Sequence, residues 1–233
     1  MRLLARIYDS ESDNEHLVSL GFRGEKLELA SKHFRNAMAD PVIAGYIADR
    51  VLEVQNGQPT IEISESGGIY WHLVDRGVSH LPQKELLYYF KVQRTVLGGL
   101  SRRDCGLAVK DYISSARMSD ATGRAIARLN TPALKHYYRI QLKAARIGAK
   151  RAPVRQRPAQ EAHIEAVIAD AIISQLENDQ NAHSIVAAIV NPRSVGNRQA
   201  CTGGRIFMDT VLNLKGRDLH DGLIYLSTPR LAN

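Results

Sequence analysis

Apolar residues recur at helical spacing in the first quarter of the chain. In "GEKLELASKHFRNAMAD", Leu27, Ala30, Phe34 and Met38 fall on one face of a helix. Asp40-Pro41 then restarts the chain as a cap and a first-turn proline, and Asn56-Gly57 closes the second helix. The period changes in "TIEISES", which alternates apolar and polar as an exposed strand does, and again in "IYWHLVDRG". There Ile69, Trp71 and Leu73 share one side, and Tyr70, His72, Val74 and Arg76 share the other. Their aromatic and β-branched content predicts a strand over 69–76. "RLLARIY" near the start reads as a further short strand.

Helical periodicity returns in "PQKELLYYFKVQRTVL". Leu86, Leu87, Tyr89, Phe90, Val92, Val96 and Leu97 cover most of its circumference, which predicts burial on several sides or sharing between subunits. Gly98-Gly99 ends it. Ser101 and Asp104 have capping-box spacing ahead of an inner face of Cys105, Val109, Tyr112, Ile113 and Ala116. Ser119-Asp120 can cap a helix to about Leu129, and Thr131-Pro132 opens one through "ALKHYYRIQLKAARIG". "AKRAPVRQRPAQ", with two prolines and no acid, reads as a linker. "EAHIEAVIADAIISQLEN" is an amphipathic helix; "HSIVAAIV", "RIFMDTVLNL" and "GLIYLS" are compatible with strands or short helices, and strands are the preferred reading. No internal repeat is evident.

Charge changes this picture. The formal net charge is +7 over 233 residues, but it is unevenly placed. From Lys91 to Arg157 there are 16 Lys and Arg against Asp104, Asp111 and Asp120, a local charge of +13 that leaves −6 for the rest. A concentrated basic segment on an acidic body is the electrostatic footprint expected for a nucleic-acid partner. The two cysteines, Cys105 and Cys201, form no C-x-x-C, so neither a thiolate zinc site nor a disulfide framework is predicted, and their scarcity suits a reducing cytoplasm. "MRLLARIYDS" lacks the features of a signal peptide, and no apolar run is long enough to span a membrane.

Catalytic signatures are absent from the sequence. There is no H-E-x-x-H, phosphate-binding G-x-x-x-x-G-K-[ST], G-x-S-x-G or helix-opening G-x-G-x-x-G. His33, His72, His80 and His136 are scattered, and the H-x-x-R within "KHYYR" lacks the companions of a recombinase box. The reading is therefore a non-enzyme without cofactor or metal.

The order strand 69–76, helix 83–97, Gly-Gly-Leu-Ser, helix 101–116 resembles a ribbon-helix-helix unit. The fold class predicted is α+β, predominantly helical: a ribbon-helix-helix-like dimeric core with helical and C-terminal β additions. Tyr70, His72 and Arg76 are then the base-reading candidates on the ribbon. Ser101, Arg102 and Arg103 at the second helix start, with Arg94, Lys110, Lys150, Arg151, Arg155 and Arg157, are the phosphate-binding candidates. Trp71, Leu86, Phe90 and Leu97 are the dimer-core candidates. The organisation predicted is a DNA-binding region over 1–150 with this unit near 69–116, a basic linker over 151–160, and a helix with strands over 161–233 of no assigned role.

"KHFRNAMADPVIAGYIADRVLEV" and "YYFKVQRTVLGGLSRRD" resemble the corresponding blocks of the AcaB-like transcriptional regulators of conjugative plasmids and integrative conjugative elements. With the basic helices that follow, the resemblance covers about half the chain. It implies a ribbon-helix-helix activator of conjugation genes. The expected function is a sequence-specific regulator of transcription that binds duplex DNA as a cytoplasmic homodimer, with other regulators as compatible partners. Two alternatives stand beside it: an RNA-processing endoribonuclease of the CRISPR repeat-cleaving type, and an adaptor of a conjugation or phage assembly.

Overall fold

The computed structural model describes residues 11–56 and 66–228, and every regular element among them is helical. In order these are α1 (Glu11–Ser19), α2 (Glu25–Ala39), α3 (Pro41–Gln55), α4 (Ser66–Val78), α5 (Gln83–Gly99) and α6 (Arg102–Val109). α7 (Ser115–Ala127), α8 (Thr131–Gly148), α9 (Pro158–Leu176) and α10 (Ala182–Val190) follow, and a 3₁₀ turn at Pro192–Ser194 leads to α11 (Asn197–Asn213) and α12 (Gly216–Ser227). The α+β class, the ribbon-helix-helix core and the C-terminal strands are thereby overturned. The strand expected in "RLLARIY" and nearly all of the one in "TIEISES" lie outside the described residues.

The expected ribbon strand is α4. Tyr70, Leu73, Val74, Gly77, Val78 and Leu81 are all buried, and they are spaced by three and four. The alternation over 69–76 was thus half of a helical period read over too short a window. The same ambiguity underlies the three C-terminal segments, which are helices rather than the preferred strands. Each is a short apolar run, and periodicity over so few residues does not separate a strand from a buried helix.

Local signals were read correctly at several helix ends. Asp40 Oδ1 accepts hydrogen bonds from the N–H groups of Val42 (3.0 Å) and Ile43 (3.3 Å), capping α3 directly ahead of Pro41. Ser101 Oγ accepts from the N–H of Asp104 at 3.1 Å, as its spacing predicted. Asn130 Oδ1 accepts from the Ala133 N–H at 2.9 Å, opening α8. Other boundaries moved. α6 stops at Val109 because Asp111 takes the left-handed φ of 61°, so Tyr112 and Ala116 leave the expected inner face and are exposed. α7 starts at Ser115 rather than after Asp120.

The chain packs into two units. The first holds the described residues up to Pro82 together with Ala127–Val154; the second holds Gln83–Ile126 and Arg155 onward. The segment 69–116 expected to form one motif is thus divided between them. The predicted linker does contain a crossing point, Val154 to Arg155, although α9 already begins at Pro158.

In the first unit α8 is central. It buries Leu134, Tyr137, Tyr138, Ile140, Gln141, Ala144, Ala145 and Gly148, and packs against α2, α3 and most closely α4. Glycine permits that closeness. A Cβ on Gly77 would sit 1.8 Å from the Ala144 carbonyl oxygen, and one on Gly148 would sit 2.0 Å from that of Leu73. Beside this crossing, His33 stacks on Tyr138 at 4.1 Å between ring centres, and Tyr70 Oη lies 2.9 Å from His33 Nε2. Burial drives the His33 pKa down to about 3, so the ring is neutral and shares a hydrogen bond with the Tyr70 hydroxyl.

In the second unit α11 has the same role. It packs most closely against α6, and also against α5, α9, α10 and α12. A Cβ on Gly106 would meet the Asn197 carbonyl oxygen at 2.1 Å. A disulfide joins Cys105 on α6 to Cys201 on α11, both buried, contrary to the expectation of unpaired cysteines. The sequence rule looks for close motifs, whereas this bridge spans a separation of 96 residues. A second apolar cluster is built on Ile164, Ile168, Ile172 and Leu176 of α9, with Val211 and Tyr225.

Candidate nucleic-acid interface

The buried side of α8 is apolar for most of its length, so its charge is confined to the opposite side. Lys135, Arg139, Lys143, Arg146 and Lys150 succeed one another at intervals of four, four, three and four residues. At about 100° per residue they fall within an arc of about 80°, along a stripe of about 22 Å. All are exposed except Lys143, which is half-buried. No Asp or Glu occurs between Thr131 and Lys150.

Two contacts hold this face in place. Arg146 Nε donates to the buried Asp40 Oδ2 at 2.6 Å, so one carboxylate both caps α3 and fixes a residue of α8. Arg139 Nη2 lies 2.6 Å from His136 Nδ1, one turn back along the same helix. Arg76 extends the local positive charge. Its Nε donates to the Gly148 carbonyl at 3.0 Å and its Nη2 to that of Arg151 at 3.4 Å. The exposed side chains of Lys150 and Arg151 follow at the end of α8. The irregular segment after them is tied to its own unit by a bond from the Val154 N–H to Ser79 Oγ at 2.9 Å.

The base-reading candidates do not form a reading surface. Tyr70 is fully buried, and burial raises its pKa further above the usual phenol value. His72 is half-buried, with its pKa lowered first by burial and then by the charge of Arg76. Arg76 is engaged with backbone carbonyls as described. The reason is the change of period: on a helix, Tyr70 and Val74 turn inward with Leu73, and Trp71 is left half-buried.

The phosphate candidates divide between the units. Lys150 and Arg151 belong to the α8 region. In the second unit, Arg102 and Arg103 are exposed at the start of α6. That helix start is already occupied by a carboxylate: Ser101 Oγ donates to Asp104 Oδ2 at 2.9 Å, and Asp104 Oδ1 meets Arg117 Nη2 at 2.7 Å. The Asp104 charge meets the helix dipole there and repels an incoming phosphate. Arg94 is held bidentately by Asp209, both contacts at 2.7 Å. Lys110 is buried and donates to the Val195 carbonyl at 2.5 Å. Arg155 and Arg157 are exposed.

The dimer-core candidates find partners within one chain. Leu86 and Phe90 are buried on α5, which packs on α11 and α12, and Leu97 packs against the Leu100–Cys105–Cys201 cluster. Their apolar character no longer requires a second copy. Trp71 contacts the Tyr70 ring at 5.6 Å.

Sequence reasoning did not single out Lys135, Arg139, Lys143 and Arg146. The signal is present as cationic spacing of three and four along a helix whose limits the sequence places. Among the described residues no cluster of His, Cys, Asp and Glu could hold a metal ion, and no helix is long and apolar enough to cross a membrane. No protein-family model, curated protein or solved structure matches this chain.

Proposed function

We propose that this protein binds duplex DNA through the cationic face of α8 and acts as a regulator of transcription. The observation that carries the reading is the stripe of Lys135, Arg139, Lys143 and Arg146 within one narrow arc of α8, continued by Lys150 two residues past its end. No acid lies on that helix, and Asp40, the cap of α3, is paired to it through Arg146. A polyanion releases condensed counterions when it meets such a row, which drives association whatever the base sequence. Duplex DNA suits the stripe better than duplex RNA. The major groove of B-form DNA admits an α-helix or lets one lie along its phosphates, whereas that of A-form RNA is too deep and narrow. Arg139, second along the stripe, has the fork geometry that pairs with guanine once its Nη2 leaves His136. Regulation of conjugative-transfer genes is the finer reading, supported by the sequence resemblance.

The test combines Lys135→Gln, Arg139→Gln and Lys150→Gln, leaving Arg146 with its structural partner. If each contacts one phosphate, the slope of log affinity against log salt falls by about 0.9 per residue, or about 2.7 in all. Arg102→Gln with Arg103→Gln, in the other unit, provides the comparison. An unchanged affinity and slope in the α8 variant, measured by gel shift from low to physiological salt, overturns the assignment. Genome-wide mapping of bound DNA tests the regulatory reading, and a cleavage assay on structured RNA tests the endoribonuclease alternative.

A further inference from the structure

The second unit contains a cleft remote in sequence from α8, formed where α5, the end of α11 and the start of α12 converge. Its volume is about 420 Å³, within the range of small-molecule sites. Leu87, Leu212 and Leu219 supply apolar wall, while Lys91 and Lys215 line the same space. Arg94 and Asp209 also line it, but they neutralise one another through their bidentate pair. The remaining charge is therefore the two exposed ammonium groups. Gln83 Nε2 donates to the Gly216 carbonyl at 3.3 Å, tying the start of α5 to the start of α12 and fixing the cleft's shape.

We propose that this cleft binds a small organic anion that has an apolar body and one anionic group, such as an aryl or alkyl carboxylate, sulfonate or phosphate ester. The body lies on the leucines and the anion lies between Lys91 and Lys215. Wholly apolar molecules leave two ammonium groups beside a dry surface, and inorganic anions leave the leucine wall wet; a molecule with both parts satisfies both. The Arg94–Asp209 pair restricts the sign of the ligand, since a cation would have to compete with Arg94 for the carboxylate.

Isothermal titration of the full chain with naphthalene-1-sulfonate tests the site, with inorganic sulfate and naphthalene-1-methanol as the partial ligands. The sulfonate is expected to bind with one-to-one stoichiometry and more tightly than either partial ligand. Lys91→Gln and Lys215→Gln are each expected to weaken it about tenfold, the order of one charge-assisted contact. Both residues are exposed, so circular dichroism of these variants is expected to match the parent. Lys135→Gln on α8 is expected to leave the titration unchanged. The proposal is overturned if the sulfonate does not bind, if sulfate binds as tightly, if both lysine variants bind like the parent, or if Lys135→Gln weakens binding equally. None of these outcomes depends on DNA binding, so the site and the α8 reading stand or fall separately.

Discussion

Protonation of His33 should destabilise the first unit in mild acid. The ring is buried against Tyr138 and hydrogen-bonded to the Tyr70 hydroxyl, and its pKa is lowered from 6.5 to about 3. A group with a depressed histidine pKa is protonated in the unfolded chain before it is protonated in the fold. Acid therefore favours unfolding, from the unfolded pKa near 6.5 down to the folded pKa near 3. Within that window one proton is taken up on unfolding, and stability falls by about 1.4 kcal/mol per pH unit. Because the unfolded histidine is only partly protonated near its own pKa, the loss from pH 7 to pH 5 is about 2 kcal/mol, against a typical total of about 5–15 kcal/mol. Trp71 lies in the same unit and its fluorescence reports the transition. Urea melts at pH 7, 6 and 5 are to be compared between the parent and His33→Gln. The variant should be less stable at pH 7, because it loses the ring stack, but its dependence on pH should be shallower by the same amount of about 2 kcal/mol between pH 7 and pH 5. Parallel stability curves for the two proteins would mean that His33 already protonates in the fold near its ordinary value.

Three further perturbations address the packing. Gly148→Ala places a methyl 2.0 Å from the Leu73 carbonyl oxygen. Its overpacking cost of about 3 kcal/mol should exceed the gain of about 1 kcal/mol in helix propensity, seen as a lower melting temperature; a stabilised variant would refute the close crossing. Reducing the Cys105–Cys201 bridge, which spans a separation of 96 residues, should lower stability by roughly 4–5 kcal/mol in the chain-entropy limit. Two titratable thiols in the unreduced native protein would contradict the bridge. Asp40→Asn weakens both the α3 cap and the contact to Arg146, so it should cost about 1–2 kcal/mol while leaving DNA affinity equal or higher; weakened DNA binding at full folding would place Asp40 in the interface itself.

What the sequence determined by itself was local. A short polar side chain before a proline or ahead of a helical run satisfies free N–H groups within a few residues, so Asp40, Ser101 and the start of α8 at Thr131 were legible without any tertiary contact. The concentration of positive charge was legible too, since it is a property of composition. Its division was not: the basic segment passes from one unit to the other and back, and only the packing shows which cations share a face. Tyr70 was placed outward because alternation and helical spacing coincide over a few residues, and the buried Leu73, Val74, Gly77 and Val78 resolve the ambiguity only when α8 lies against them. The same holds for Gly77, Gly148 and Gly106, to which the sequence alone assigns no role and which are the points where backbones touch. Cys105 and Cys201 meet because α6 and α11 cross there. Local hydrogen-bonding needs are met by neighbours in the chain, but burial, close approach and bridging depend on partners roughly seventy to a hundred residues away, and no short-range pattern specifies those.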